Sequence, residues 1–207
     1  MVTLNLLPEK RLKLKRLAGL KEDNLFSFLG FSLDLTTSDL HDSLQDYASI
    51  VIEPKDPTMY RQIAELLEAY SQSERCALSG KLVKFKDFSG GYAYEAAFVR
   101  KAVDPILRSF AKNPNELMEA ASFLGGNRLS FGDFSMEICA LPGIPITYIL
   151  WTDEELPATA NVLFDSTSSN YLNVEDLAKL AELTSWRLSN VQLILKTVPS
   201  AKSDVLS

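Results

Sequence analysis

The sequence is short of the residues that build covalent and metal-held sites. Its two cysteines, Cys76 and Cys139, are far apart and outside any CxxC pair, and its one histidine is His41. A disulfide framework, a four-cysteine zinc site and a self-contained iron–sulfur site are therefore not expected. His41 lies in a polar stretch typical of a surface helix, which argues against a histidine-based hydrolase. We predict two reduced structural thiols, a surface histidine and no resident metal.

The sequence also lacks an excess of positive charge and a long apolar run. It has 21 basic and 27 acidic residues and a net charge of −6, whereas a protein that binds nucleic acid needs a cationic surface. Its basic cluster, residues 9–17, is interpreted as the solvated face of an amphipathic helix, with membrane or nucleic-acid contact as the alternative. No run reaches the ~20 apolar residues of a membrane-spanning helix, and no signal peptide is recognised. We predict a soluble, cytoplasmic protein with no nucleic-acid or membrane partner.

The composition is that of a globular protein, with 46% hydrophobic and 23% charged residues. Helical patterns alternate with adjacent strand patterns joined by short turns, which favours an antiparallel sheet over a doubly wound parallel sheet. We predict an α+β fold, mainly an antiparallel sheet with several packed helices, in a single domain covering residues 1–207. The first helix, about residues 8–18, is expected to be peripheral, and the tail, about residues 197–207, is expected to be flexible.

Local signals place the elements along the chain. Helices are predicted over residues 8–17, 36–48, 57–72, 94–111 and 114–124 and from about residue 173 onwards. Residues 26–35, with a break at Gly30, are predicted to form a bent strand or a hairpin. Strands are also predicted over residues 49–53, 80–88, 131–140 and 146–151, and residues 159–165 are either a strand or the tail of a loop. Pro105 is expected to kink or split its helix, and Asp56 and Asn113 are expected to cap the helices that follow them.

The stretch WTDEELPATANVLFD, residues 151–165, concentrates negative charge beside an apolar run. Asp153, Glu154, Glu155 and Asp165 could meet at one sheet edge, beside the ring of Trp151. Paired carboxylates can perform acid–base chemistry or hold a hard cation such as Mg²⁺ or Ca²⁺. The alternative is structural: the acidic residues form a solvated loop or helix start, and Asp165 caps the turn that follows it.

A second candidate is the turn SGGYAY, residues 89–94. Gly90 and Gly91 precede a predicted helix, and such a pair can present backbone N–H groups to an anion. The stretch has neither the Lys-Ser/Thr of a P-loop nor the spacing of a dinucleotide fingerprint. A plain strand-to-helix turn is the alternative. Tyr92 and Tyr94 could line a pocket there or form a half-buried aromatic pair.

Several short motifs follow one another over residues 60–188. They are Gly90-Gly91-Tyr92, Leu124-Gly125-Gly126, Trp151, Asp153-Glu154-Glu155, Pro157, Leu163-Phe164-Asp165, Tyr171-Leu172 and Glu175-Asp176-Leu177. This order resembles a prokaryotic family of domains of unknown function that is common in anaerobic bacteria and archaea. The resemblance implies an association with cysteine-rich iron–sulfur segments or with corrinoid methyl-transfer proteins, as in some members. It assigns no activity and no catalytic residue.

Three functions are compatible with these features. The first is a small-molecule or cofactor-binding domain, with its pocket between the sheet edge and the helix after Gly91. The residues assigned to that site are Trp151, Asp153, Glu154, Glu155, Asp165, Gly90, Gly91, Tyr92 and Tyr94. The second is a protein-interaction module that docks a basic partner on its acidic surface. The third is an enzyme that uses the carboxylates as an acid–base pair or a divalent-metal site. The cofactor and the catalytic residues stay unassigned.

Overall fold

The computed structural model describes residues 1–47, 57–153 and 155–198. The helices within these ranges are α1 Pro8–Ala18, α2 Leu44–Tyr47, α3 Pro57–Tyr70, α4 Gly91–Phe98, α5 Asp104–Phe110, α6 Asn115–Phe123 and α7 Val174–Thr197. A π-helical turn, Val99–Val103, joins α4 to α5, and 3₁₀ turns cover Phe85–Asp87 and Ser166–Asn170. None of these helices is long and apolar enough to cross a membrane.

The strands form two antiparallel sheets. The strands are β1 Val2–Thr3, β2 Leu25–Phe28, β3 Phe31–Asp34, β4 Asp39–Asp42, β5 Leu82–Lys84, β6 Asn127–Arg128, β7 Phe134–Leu141, β8 Ile144–Trp151 and β9 Thr159–Asp165. The small sheet has the order β1-β4-β3-β2, and the large sheet has the order β5-β9-β8-β7-β6. The predicted α+β fold with an antiparallel sheet is therefore confirmed.

Several local predictions are confirmed. Strands β2 and β3 form the predicted hairpin, which turns at Leu29 and Gly30 with φ angles of 47° and 73°. The segment Thr159–Asp165 is a strand, because it pairs with β8 along its length. The last helix begins after Asn173, whose side chain accepts a hydrogen bond from the Asp176 N–H at 2.9 Å.

Other local predictions are wrong. Residues 39–42 form strand β4, not a helix, because they pair with both β1 and β3; His41 therefore lies on a strand. The strand predicted over residues 80–88 covers only Leu82–Lys84. Helix α6 begins at Asn115, two residues after the predicted cap. The strand predicted over residues 49–53, the Asp56 cap and residues 199–207 of the tail lie outside the described residues.

The large sheet and α7 hold the centre of the protein. Strand β8 is buried from Ile144 to Leu150, so both of its faces are covered. Buried side chains from both sheets and from the helices form one hydrophobic cluster, to which α1 contributes Leu14 and Leu17. Within this cluster α7, α6, α5 and the π turn pack next to one another.

A buried arginine fastens the small sheet to α7. Arg187 is fully buried, and its guanidinium donates hydrogen bonds of 2.8 Å to the Leu29 carbonyl and to the Asp42 carboxylate. The guanidinium also lies 4.1 Å from the centre of the Phe31 ring. An unpaired buried charge is costly, so this pairing fixes where the small sheet sits against α7.

Candidate functional site

The acidic residues predicted to form one site lie at the two ends of strand β9. Trp151 ends β8, and the loop that carries Asp153 and Glu155 leads into β9 at Thr159, whereas Asp165 ends β9. Because a strand rises about 3.3 Å per residue, the two ends of β9 are about 20 Å apart. Asp165 therefore lies apart from the loop that carries Asp153 and Glu155.

Asp153 shapes its own loop. Its Oδ1 accepts hydrogen bonds from the Glu155 N–H at 2.7 Å and from the Leu156 N–H at 3.1 Å, the pattern of an Asx turn. The side chains of Asp153 and Glu155 are exposed. Glu154 lies outside the described residues. The structural alternative considered from the sequence, a solvated acidic loop, describes this segment.

Trp151 covers a neighbouring turn. A Cβ placed on Gly132 would lie 3.0 Å from the Trp151 indole nitrogen, so the ring sits directly over that glycine. The N–H of Thr152 donates to the Asp133 carboxylate at 2.8 Å. These contacts hold the end of β8 against the turn that precedes β7.

Asp165 is a structural carboxylate. It is 2% exposed, and its Oδ1 accepts from the N–H and the hydroxyl of Thr167, at 2.9 and 2.6 Å. Ser79 donates to the same oxygen through its N–H and hydroxyl, and the Gly80 N–H donates to Oδ2 at 2.7 Å. Burial alone would raise the pKa of Asp165, but the hydrogen bonds from Thr167 and Ser79 lower it to about 2. Asp165 thus joins two chain segments.

Gly90 and Gly91 form a tight turn into α4. Gly90 has a φ of 82°, which favours glycine. A Cβ on Gly91 would lie 2.1 Å from the Phe85 carbonyl oxygen, and the Gly91 N–H donates to the Phe88 carbonyl at 2.8 Å. The first N–H of the helix is therefore already used by the protein, which matches the plain strand-to-helix turn.

The two tyrosines after this turn point into different surroundings. Tyr92 is 83% exposed. Tyr94 is partly exposed, and its hydroxyl donates to the Glu175 carboxylate at 2.7 Å, which raises the pKa of the tyrosine. Tyr94 borders a groove between α4 and α7, and neither Trp151 nor Asp165 lines that groove.

A cavity lies between the edge of the large sheet and the helical segment that follows Gly91. We call it the β9 cleft; it has a volume of about 250 Å³ and is lined by Glu95, Phe98, Asp104, Leu107, Asn161 and Val162, among others. Strand β9 forms one wall, and α4, the π turn and α5 form the other. Of the described residues assigned to the predicted pocket, none lines this cleft.

Glu95 is the unusual side chain of the β9 cleft. Its Oε2 is shielded from solvent, and among the described residues no group donates a hydrogen bond to it. Buried polar atoms in folded proteins nearly always have a partner, because an unpaired atom costs about 1–3 kcal/mol. Asp104 lines the same cleft. A residue that lines the cleft thus carries a carboxylate oxygen that lacks a donor.

The helical wall of the cleft is distorted at its middle. The N–H of Asp104 donates to the Val99 carbonyl, five residues earlier, which is the hydrogen bond of a π turn. Pro105 has no N–H, and in a regular helix its ring would collide with the carbonyl four residues before it. The interruption predicted at Pro105 is therefore absorbed as a π turn. Such turns are rare in proteins, and those that occur are often found at functional sites.

Helix α7 supports this distortion. The Ser185 hydroxyl donates to the Ala102 carbonyl in the π turn at 2.7 Å, and the Tyr148 hydroxyl lies 3.1 Å from the Ser185 oxygen. All three residues are fully buried. Burial raises the pKa of Tyr148, so its hydroxyl stays neutral and available as a donor. This network fixes the π turn behind the cleft.

The strand wall of the cleft is an open edge. The Ser166 N–H donates to the Lys81 carbonyl at 2.9 Å, so alternate residues of β9 direct their backbone groups towards β5. Strand β5 ends at Lys84. Beyond it, within the part of the chain that the structure describes, Ala160 and Val162 have no strand partner on that side. Their backbone N–H and C=O groups point to the cleft edge.

The other chemistry considered from the sequence has little support in the described residues. No three His, Cys, Asp or Glu side chains in residues 1–47, 57–153 and 155–198 gather closely enough to hold a metal ion. His41 is half-exposed, and its Nε2 lies 3.0 Å from the Asp46 carboxylate. Cys76 and Cys139 are free thiols, and Cys139 is exposed.

Sequence reasoning missed the residues of the β9 cleft. Glu95 lies one helical turn after the glycine pair, but one Glu in a helix carries no signal of its own. Asn161 comes from a strand whose identity the sequence left open. The one usable signal was Pro105 inside a helical pattern, which marks the segment where the helix departs from regular geometry.

Comparisons with known proteins give a family but no activity. Residues 46–187 match the model of a family described as a domain of unknown function, DUF3786. Searches of curated proteins and of solved structures returned no match. The matched range contains α4, the π turn, α5 and β9, and therefore both walls of the β9 cleft. The chain belongs to this family of domains of unknown function, DUF3786.

Proposed function

We propose that the protein binds a small molecule in the β9 cleft, and that this molecule carries a protonated nitrogen and an apolar body. The observation that carries the proposal is the Oε2 of Glu95, which is buried without a donor among the described residues. An ammonium group in the cleft pairs with the Glu95 carboxylate, and a rotation of this partly exposed side chain brings Oε2 to that donor. Ligand binding therefore removes the cost that the free protein bears.

The charges that line the cleft favour a cation. Glu95 and Asp104 bring two carboxylates to the cavity, and Lys84 brings one ammonium group. Lys84 is exposed, and no carboxylate of the described residues lies within 4.0 Å of its ammonium group. Since a partly enclosed cleft screens charge less than bulk water, the two carboxylates attract a cationic group and repel an anionic one.

The remaining walls favour an apolar body of modest size. Phe98 and Val162 are buried beside the cleft, and Leu107 is half-buried. A volume of about 250 Å³ lies just below the range typical of drug-sized ligands and suits a smaller molecule. The open backbone groups of Ala160 and Val162 can orient polar atoms of that molecule along the strand edge.

Three probes that share a phenyl ring and differ in charge test whether the cleft prefers a cation. Phenethylamine is a cation, phenylalanine a zwitterion and 3-phenylpropionate an anion at pH 7. We expect phenethylamine at 10 mM to raise the melting temperature by about 3–6 °C, because a ligand near 1 mM affinity adds roughly 1.4 kcal/mol to stability. Phenylalanine should act more weakly, and 3-phenylpropionate should have no effect.

A matched pair of variants identifies the carboxylate. Glu95→Gln should abolish the shift with phenethylamine, whereas Glu68→Gln, an exposed helical residue on α3, should leave it unchanged. Equal shifts in melting temperature with the amine and with 3-phenylpropionate would contradict the proposed preference for a cation. An amine shift that survives Glu95→Gln would place the ligand elsewhere.

A second candidate function uses the acidic loop rather than the cleft. Leu156 is 68% exposed and Trp151 36% exposed, and Asp153 and Glu155 lie between them in the chain with exposed carboxylates. Exposed apolar groups rimmed by charge are typical of interaction surfaces. A fluorescent peptide of alternating Lys and Leu should bind more weakly as salt rises. Binding unaffected by the pair Asp153→Asn and Glu155→Gln would exclude the loop.

A further inference from the structure

A second concave surface lies between the π turn, α5 and α7. We call it the α5–α7 groove; it has a volume of about 440 Å³ and is lined by Arg100, Lys101, Arg108, Ser109, Glu182 and Trp186, among others. None of these residues lines the β9 cleft. The groove is therefore a separate surface on the same helical segment.

The groove concentrates positive charge in an acidic protein. Lys101 is paired with Glu182, whose carboxylate lies 3.0 Å from its ammonium group. Arg100 and Arg108 are exposed, and neither forms an ion pair among the described residues. The groove thus carries two uncompensated guanidinium groups, although the whole chain has a net charge of −6. Such local charge attracts anions from solution.

The other polar groups of the groove are already used. The Ser109 hydroxyl donates to the Ser189 hydroxyl at 2.9 Å, and the Ser189 hydroxyl donates to the Ser185 carbonyl at 3.1 Å. A ligand must therefore bind through the arginines, whose planar forks match the oxygens of carboxylates and phosphates. This pattern favours an oxyanion over a neutral sugar or an amine.

The length of the groove and the presence of Trp186 in it favour a ligand larger than a bare ion. Arg100 and Arg108 are eight residues apart, which corresponds to about 12 Å along a helix axis. One small oxyanion does not fill that length. Trp186 from α7 is half-buried and lines the groove, so an apolar or aromatic group bound there lies against part of its side chain.

We propose that the α5–α7 groove binds a small molecule that carries an oxyanion group, carboxylate or phosphate, attached to an aromatic or apolar body. The oxyanion pairs with Arg100 or Arg108, and the body packs on Trp186. Lys101 stays paired with Glu182, so the two arginines are the cations left for the anion.

The two tryptophans make the test specific to the site. Because the chain contains only Trp151 and Trp186, its nitrogen–proton NMR spectrum has two indole resonances, and Trp151→Phe assigns them. Phenyl phosphate, benzoate and benzylamine share one ring and differ in their charged group. We expect phenyl phosphate, benzoate or both to move the Trp186 resonance in a saturable manner below 10 mM, and benzylamine to leave it in place.

Charge-matched double variants separate the groove from general attraction. Arg100→Gln with Arg108→Gln should weaken binding about ten-fold, since a charge-assisted contact is lost. Arg16→Gln with Arg128→Gln removes two exposed arginines elsewhere and should leave binding nearly unchanged. If only phenyl phosphate moves the Trp186 resonance, the ligand class of the groove is phosphate esters. If both anions move it, the ligand class is oxyanions in general.

Three results would overturn the proposal. The Trp186 resonance could stay fixed with both anions up to 10 mM. It could move equally with benzylamine. The two double variants could weaken binding to the same extent, which would mean that overall charge, not the groove, attracts the anion.

Discussion

Two carboxylates at the edge of the large sheet have opposite surroundings. Asp165 is buried at one end of β9 and accepts five hydrogen bonds from Ser79, Gly80 and Thr167. Glu95 faces the same strand across the β9 cleft, and its Oε2 is shielded from water with no donor among the described residues. The Asp165 carboxylate thus has five donors, whereas one oxygen of the Glu95 carboxylate has none among the described residues.

This difference separates a role in the fold from a role in binding. A buried carboxylate with several donors stabilises the fold, whereas one without a donor weakens it. Proteins tolerate such a cost mainly where function needs it, because active and binding sites trade stability for activity. We therefore assign Asp165 to the fold and Glu95 to the proposed ligand site, although the sequence had marked Asp165 and not Glu95.

The largest expected effect on stability comes from removing the charge of Asp165, the carboxylate that accepts five hydrogen bonds. Asp165→Asn puts a donor where backbone N–H groups need an acceptor, and it should lower the free energy of unfolding by about 3 kcal/mol. For a protein of this size that corresponds to a fall in melting temperature of about 10 °C. Thermal unfolding followed by circular dichroism measures it.

The matched control is Asp153→Asn. Asn forms the same Asx turn, and the side chain is exposed, so stability should change by less than about 0.5 kcal/mol. If the two variants were equally stable, the contrast between a structural Asp165 and a solvated Asp153 would be lost.

A second satisfied polar group lies behind the cleft and should have the next largest effect. Ser185→Ala removes the donor to the Ala102 carbonyl and the partner of the Tyr148 hydroxyl. Leaving these buried groups unpaired should cost about 2 kcal/mol. Chemical denaturation measures the loss. Thr197→Ala removes a hydroxyl that bonds only within its own helix, and it should cost much less.

The acid limb of the stability curve tests the Asp165 carboxylate directly. Its pKa of about 2 in the folded protein lies below the usual 3.8, so the ionised form favours the fold. That stabilisation is fully present above pH 3.8 and is lost as the pH falls towards 2. It amounts to about 2 kcal/mol, since one pKa unit corresponds to about 1.36 kcal/mol. In Asp165→Asn the same pH range should show a shallower loss of stability.

Local signals explain which elements the sequence could predict. The β2–β3 hairpin turns at Leu29-Gly30, α3 begins at Pro57, and α7 begins after Asn173, all from residues adjacent in the chain. Strand β4 was missed because the cap-forming residues before it favoured a helix, and because one of its two partners, β1, lies 36–38 positions earlier in the chain. Short-range periodicity does not contain that information.

The candidate site was predictable only in part, for the same reason. The turn formed by Asp165 follows from the turn-forming residues after it, although the donors from Ser79 and Gly80 do not. The β9 cleft joins Glu95 to Asn161, which are 66 positions apart, through a sheet edge and a π turn. No sequence pattern predicts that Glu95 and Asn161 line the same cleft, and the burial of one carboxylate oxygen can be seen only in the three-dimensional structure.

The most direct test is the stability of Glu95→Gln, measured by thermal unfolding beside wild type and Asp165→Asn, with and without 10 mM phenethylamine. Without ligand we expect Glu95→Gln to unfold at or above the wild-type temperature, with a gain of up to about 1 kcal/mol, because the variant no longer holds a shielded carboxylate oxygen without a donor. With ligand we expect wild type to gain stability and Glu95→Gln to gain none. A loss of stability in Glu95→Gln comparable to that of Asp165→Asn would show that Glu95 supports the fold, and it would contradict the assignment of the β9 cleft as a binding site.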